Sequence, residues 1–237
     1  MTAINLVIQR QVAAATMAIQ QSAMRLSTGL KVNSSRDNPS GLAIANSCKT
    51  QIITQNANIN NINDYVSFSQ LTTQVLSAIN DAVLQKQSIA MTDPASALLD
   101  TEIQRLLSTK FNGQLLLSPY RRTFQVSGND TNSIMLAGVN VTSITSSDTQ
   151  LALTEINTQL VTQGSFQQSL STALAMCETT KAAQTARYEQ IMNVDTATEI
   201  MTLTKEKLLQ SIGLTMLSML NKLDGSVLSL LPTRNNY

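Results

Sequence analysis

Apolar side chains recur three and four residues apart over most of this chain, the spacing that gathers them on one face of an α-helix. Toward the C-terminus Leu209, Ile212, Met216, Met219, Leu223, Val227 and Leu230 keep that rhythm, and Met201, Leu208, Leu217, Leu220, Leu228 and Leu231 widen the face. A helix so broadly apolar needs a partner surface in water. The partner is expected at the opposite end of the chain, where Ile4, Ile8, Val12, Ala15, Ile19, Ala23 and Leu26 form a second seam. Two ends that each carry a coiled-coil face predict a molecule closed, or assembled, through its termini. A third seam, Ile52, Ile59, Ile62, Val66, Leu76, Ile79 and Val83, has Ser69 and Thr73 filling two of its positions.

Turn and cap residues divide the pattern. The first helix is expected over about Ala3–Ser27, ended by Gly29 as a C-terminal cap. A polar connector follows at 31–38, and Asn38-Pro39 reads as an N-cap with proline in the first turn. From there to about Met91 only Gly41 interrupts the helix formers, which predicts a rod roughly 75 Å long at 1.5 Å per residue. Asp93-Pro94 restarts the helix as far as about Thr109. Phe111-Asn112-Gly113 signals a turn, and Gln114–Leu117, Arg122–Val126, Ser133–Leu136 and Val139–Ile144 read as short strands separated by Gly128-Asn129-Asp130 and Gly138. An S-x-x-Q capping box at Ser147 opens a third long helix to about Met192, with Gly164 as a possible kink, and Thr196-x-x-Glu199 opens the last one.

The predicted fold class is therefore mainly α: a long antiparallel helical rod, packed like a coiled-coil bundle, with a small β-hairpin region and terminal helices paired as an inner coiled coil. Its segments are an N-terminal inner-core helix (1–30), a connector (31–38), the N-terminal half of the rod (39–110), the hairpins (111–147), the return helix (148–193), a C-terminal inner-core helix (194–231) and a tail (232–237). The two terminal helices alone bury too little to offset the ordering of their backbone. They are expected to fold against neighbouring copies of the chain.

Composition narrows the chemistry. Among 237 residues there is no Trp, aromatics make up 3% and charged residues 13%. The absence of histidine removes His-based acid–base catalysis, Ser–His and Cys–His nucleophile pairs and the common zinc sites, so neither cofactor nor metal nor enzymatic activity is expected. A net charge of +1 gives no field for nucleic acid or an anionic membrane. No run of apolar residues is long enough to span a bilayer, and the N-terminus lacks the layout of a cleavable signal. Cys48 and Cys177 sit in helical patterns beside apolar neighbours and read first as buried free thiols; a disulfide between packed helices is the alternative. Arg121-Arg122 reads as a solvated turn, and Asn129-Asp130-Thr131 and Asn140-Val141-Thr142 match the glycosylation pattern by coincidence.

The stretch Arg25-Leu26-Ser27-Thr28-Gly29-Leu30-Lys31-Val32-Asn33-Ser34-Ser35-Arg36-Asp37, followed by Gly41-Leu42-Ala43-Ile44-Ala45-Asn46, resembles the N-terminal signature of bacterial flagellin without a gap. Lys110-Phe111-Asn112-Gly113 and Phe124-Gln125-Val126 resemble the family's turn and the first strand of its hairpins. Asp195-Thr196-Ala197-Thr198-Glu199, then Leu208-Leu209-Gln210-Ser211-Ile212-Gly213, and finally Val227-Leu228-Ser229-Leu230-Leu231 resemble its C-terminal signature and ending.

The resemblance implies a structural subunit that self-assembles into the flagellar filament for motility. It also implies export in an unfolded state through the type III apparatus, so that the protein is secreted and extracellular. The implied partners are further copies of itself or other flagellins, a flagellar secretion chaperone, the filament cap and the hook–filament junction proteins, with no nucleic acid and no membrane. The C-terminal face, Leu208 included, doubles as the expected chaperone face. Arg25, Gly29, Asn33, Asp37 and Gly41 mark the connector between inner and outer helical shells. The variable outer domain that the family inserts after the hairpins is not found before the return helix at Ser147.

Other departures are Thr196 where the family has Tyr, a shortened segment between Met91 and Phe111, a shorter start and the tail from Pro232 to Tyr237. In the stretch resembling the region read by the flagellin-sensing Toll-like receptor, Gln85 and Ile89 replace Arg and Leu, and the lost guanidinium implies weak recognition. Further readings are a hook–filament junction protein and, more remotely, a secreted membrane-active translocator whose polar face carries little Lys or Arg.

Overall fold

The computed structural model describes residues 3–89, 93–126, 133–139, 144–145 and 148–230. Five helices, α1 (Ala3–Thr28), α2 (Pro39–Ser88), α3 (Pro94–Leu107), α4 (Thr149–Met192) and α5 (Thr196–Leu230), make up most of them. Four short strands follow α3: β1 (Lys110–Phe111), β2 (Gln114–Leu115), β3 (Arg122–Gln125) and β4 (Ser133–Leu136). The fold is mainly α, with two small antiparallel hairpins, β1–β2 and β3–β4. The described residues divide into two compact units, one formed by Met1–Cys48 with Ala186–Tyr237 and the other by Lys49–Thr185.

Helix ends follow local chemistry. Gly29 takes φ +71°, the left-handed conformation that closes a helix and that a Cβ disfavours. Asn38 caps α2 by accepting the Gly41 N–H at 2.8 Å, with Pro39 in the first turn where no N–H is needed. Asp93 caps α3 through the Ala95 N–H at 2.9 Å. Two expected caps shift. α4 begins at Thr149, and its cap is Asp148, which accepts the Gln150 and Leu151 N–H groups at 3.0 and 3.3 Å; the expected Ser147 lies outside the described residues. α5 begins at Thr196 itself, capped by Asp195 through the N–H groups of Ala197 and Thr198 at 3.0 and 3.2 Å. A carboxylate outcompetes a hydroxyl here because it accepts two donors at once and its charge suits the positive end of the helix.

In the unit 49–185, α2 and α4 run antiparallel and enclose a core of Ile62, Leu76, Ile79, Val83, Ile156 and Leu170, all nearly inaccessible. The chain's four phenylalanines meet in it. Phe124 of β3 lies 5.5 Å from Phe68 of α2 and 5.0 Å from Phe166 of α4, and Phe68 lies 6.1 Å from Phe111 of β1. Tyr65 adds an edge contact to Phe124 at 4.8 Å. Hairpins too small to stand alone are thus held to helices through aromatic side chains. The serine in the α2 seam is satisfied in the core: Ser69 Oγ donates to Gln163 Oε1 at 2.9 Å.

Turn Asn112-Gly113 has both residues at positive φ, 49° and 79°, the type I′ geometry that suits a two-residue hairpin. β1 is an element the hydrophobic pattern did not announce, being two residues long, and β2 stops at Leu115 where a strand to Leu117 was expected. Leu116 and Leu117 are instead buried in the core. Val139 and Ile144 are buried too, outside any strand, and 140–143 lie outside the described residues. So do the 128–130 turn, both glycosylation patterns and the tail 232–237. α4 passes through Gly164 as a single element.

Candidate functional site

The other unit pairs the two ends of the chain. α1 and α5 lie antiparallel: Val12 meets Gly213, Gln210 Nε2 donates to Thr16 Oγ1 at 2.9 Å, and Arg25 faces Glu199 at 3.7 Å. Among the covered positions of α1, Asn5, Ile8, Val12, Ala15, Ile19, Ser22 and Leu26 form an unbroken three–four repeat. Those of α5 run Glu199, Leu203, Glu206, Gln210, Gly213, Leu217 and Leu220 in the same repeat. This seam is narrow and partly polar. A Cβ on Gly213 would sit 2.5 Å from Val12 Cγ2, so the helices approach closely at that level.

The expected seam residues divide accordingly. On α1, Ala15 is buried, Ile8, Val12, Ile19 and Leu26 are half-buried, and Ile4 and Ala23 are exposed beside the seam. On α5, Leu209 is half-buried, whereas Leu208 (60% exposed), Ile212 (47%), Met216 (52%), Met219 (60%) and Leu223 (62%) stand in solvent. Val227 and Leu230 belong to α5, with side chains beyond those described, and Leu231 lies outside the described residues. The large apolar stripe is offset by one residue, about 100° of helix rotation, from the seam that packs on α1. Sequence reasoning missed Asn5, Ser22, Gln210 and Gly213 because it followed apolar positions alone. The legible signal was the heptad register itself, which runs on without a break when polar and small residues are admitted.

The connector is built around Asp37. Its Oδ2 accepts the backbone N–H groups of Asn33 at 3.0 Å and Ser34 at 2.9 Å, and Gln21 of α1 donates to Oδ1 at 3.3 Å. The Asn33 and Ser34 N–H bonds, that of Asn33 first, hold the carboxyl below its ordinary value of 3.8. Asn33 also donates through Nδ2 to the Leu30 carbonyl at 3.0 Å. Gly29 and Lys31 clamp the junction between α4 and α5: the Lys31 N–H donates to Met192 O at 2.6 Å, and the Val194 N–H donates to Gly29 O at 3.0 Å. Val32, Ala45 and Met192 form a small core there. Gly41 is demanded by its own cap, since a Cβ would lie 2.4 Å from Asn38 Nδ2. All five expected connector residues, Arg25, Gly29, Asn33, Asp37 and Gly41, therefore make specific contacts or occupy positions that require their residue type.

In the other unit, Gln85 is exposed and Ile89 half-buried near the C-terminal end of α2. Cys48 and Cys177 are both free and buried, and burial pushes the Cys177 thiol up. Cys177 lines a cavity of about 510 Å³ with Gln55, Asn58, Gln168 and Met176, whose lining holds amides, hydroxyls and apolar groups. Arg122 donates to the Leu115 carbonyl and lies over the Phe68 ring at 5.3 Å, so it is a packed side chain and the solvated-turn reading of it is corrected. No described helix is long and apolar enough to cross a membrane.

Comparison with known proteins joins these features. The family profile described as the bacterial flagellin N-terminal helical region matches residues 2–121, and the bacterial flagellin C-terminal helical region matches residues 146–231. Flagellin D of Vibrio cholerae is 32% identical over 146 residues, covering 54% of this chain and 38% of that protein. Flagellin E of the same species is 31% identical over 150 residues, covering 56% and 39%. Flagellin D of Vibrio anguillarum is 31% identical over 147 residues, covering 54% and 39%. The chain thus spans less than half the length of these curated relatives. With both helical regions matched in order around residues 122–145, this chain belongs to the bacterial flagellin family.

Proposed function

We propose that this chain is a structural subunit of the bacterial flagellar filament, acting by self-assembly and without catalysis. The observation that carries the reading is the stripe of Leu208, Ile212, Met216, Met219 and Leu223, left in solvent although α5 already has an intramolecular partner. These large side chains stay wet while the α5 seam is shared between leucines and the small or polar Glu199, Glu206, Gln210 and Gly213. Burying a leucine or methionine is worth roughly 1.5–3 kcal/mol each, so neighbouring copies packed over this stripe add to what the α1–α5 seam buries and favour ordered ends. The residues 1–30 and 194–231 are read as the inner core, 39–110 and 148–193 as the next helical shell, and the Asp37 connector as the joint between them. The named relatives are flagellins, which supports an extracellular filament as the destination.

Export in an unfolded state fits a seam too thin to hold the ends alone. The same α5 stripe has the spacing that a chaperone groove reads before export. Filament cap and hook–filament junction proteins are the further partners. The loss of an arginine at Gln85 supports weak engagement of the flagellin-sensing receptor.

Seeded polymerisation tests the reading. Purified chain added to filament fragments of its own kind should elongate them under the electron microscope, with a gain of helix in far-UV circular dichroism. A chain that stays monomeric on such seeds transfers the assignment to a junction protein or to a minor subunit that needs a partner.

A further inference from the structure

Methionine is among the residue types most often buried in folded proteins. Here eight of the ten methionines lie among the described residues, and all but Met192 (6% exposed) stand in solvent. Five of the seven exposed ones belong to the terminal pair: Met17 (64%) and Met24 (57%) on α1, and Met201 (66%), Met216 (52%) and Met219 (60%) on α5. Met216 and Met219 are one turn apart in the middle of the apolar stripe, flanked by Ile212 and Leu223. A leucine there would supply the same burial with better-defined packing.

From this placement we propose that Met216 and Met219 are a reversible oxidation site that controls whether a free subunit can join a filament. The inference rests on the assembly reading above. A peroxide transfers one oxygen atom to the thioether sulfur; the sulfur is oxidised by two electrons to the sulfoxide and the peroxide is reduced to water or an alcohol. A dithiol-dependent sulfoxide reductase returns the thioether, releasing the oxygen as water and leaving the dithiol as a disulfide. The sulfoxide oxygen is a strong acceptor, and the leucine, isoleucine and methionine side chains of the stripe itself offer it no donor. The free subunit leaves both side chains half exposed or more, whereas a subunit packed over this stripe shields them. Oxidation therefore acts before assembly and leaves the finished polymer untouched.

The test uses the full-length chain, hydrogen peroxide, site-resolved mass spectrometry and seeded elongation. Met216 and Met219 should oxidise about tenfold or more faster than buried Met192 in the monomer and resist oxidation in filaments. Oxidised monomer should elongate seeds about tenfold or more slowly, the scale of burying an unpaired acceptor, and recover after treatment with a mixture of the two stereospecific sulfoxide reductases. Dithiothreitol alone, which reduces oxidised Cys48 or Cys177, should not restore it. The double variant M216L/M219L should elongate at one rate before and after peroxide, whatever its untreated rate, while M135L/M176L should remain sensitive. Elongation by the fully oxidised parent at its original rate, or equal peroxide sensitivity of M216L/M219L, overturns the proposal and leaves the assembly reading standing. An untreated parent that never elongates seeds overturns both.

Discussion

Gly164 and Gly213 occupy the interiors of long helices and meet opposite surroundings. A Cβ on Gly164 would touch nothing within 4 Å, whereas one on Gly213 would lie 2.5 Å from a methyl of Val12. Glycine costs a helix about 1 kcal/mol relative to alanine, so Gly164→Ala should raise stability in urea by up to about that amount. An unchanged or lowered midpoint would contradict the open surroundings of Gly164. Asp37 makes a pH-dependent contribution of known sign. Its folded pKa is lowered from 3.8 by backbone N–H donors, so its stabilisation is complete above 3.8 and is lost as pH falls below it through the folded value. The stability gap between the parent and Asp37→Asn should be widest above pH 3.8 and close on acidification, as followed by unfolding at stepped pH. A gap of constant width would show that the Asn33 and Ser34 bonds do not favour the ionised form.

At the scale of elements, legibility followed the range of the interaction. Helix ends set by one residue and its neighbours, at Gly29, Asn38-Pro39 and Asp93-Pro94, were readable because cap and break chemistry is local. The two caps read one residue off lay beside a Ser or Thr that fits the same motif, and each is made by an aspartate, Asp148 or Asp195, that accepts two N–H groups. The four-phenylalanine cluster was unreadable, since its members come from α2, β1, β3 and α4, far apart in sequence. Phe124, 9% exposed at its centre, should cost about 3–5 kcal/mol when replaced by alanine, with the β3–β4 hairpin losing amide protection first. A loss below about 1 kcal/mol would mean that the hairpin is held by other contacts.

The α1–α5 pair gives the complementary case: Gly213→Ala gains helix propensity but overpacks Val12 by about 1–3 kcal/mol, so the pair should lose stability overall. The double change Gly213→Ala/Val12→Ala should recover it. Faster amide exchange over 3–28 and 196–220 in filaments of the single variant, reversed in those of the double, is the expected readout. Equal exchange in both would place the close approach elsewhere.

For the molecule as a whole, the pattern of threes and fours gave helix faces and left open which face meets which. The α1 seam was readable from its heptad spacing, whereas the expected α5 seam, Ile212, Met216, Met219 and Leu223, stands in solvent. The division of α5 into a partly polar seam and a wet apolar stripe was not readable, because Glu199, Glu206, Gln210 and Gly213 carry no hydrophobic signal. That division is the centre of the account: intramolecular pairing uses one face, and the stripe beside it remains for neighbours.

The most direct test is seeded elongation by the parent and by Ile212→Asp/Leu223→Asp, with the unfolding midpoint of each monomer measured alongside. Both side chains are exposed, so the variant should keep the parent's midpoint within about 0.5 kcal/mol of stability while failing to elongate seeds that the parent extends. Elongation by the variant at the parent's rate would contradict the assignment of the stripe as the assembly surface.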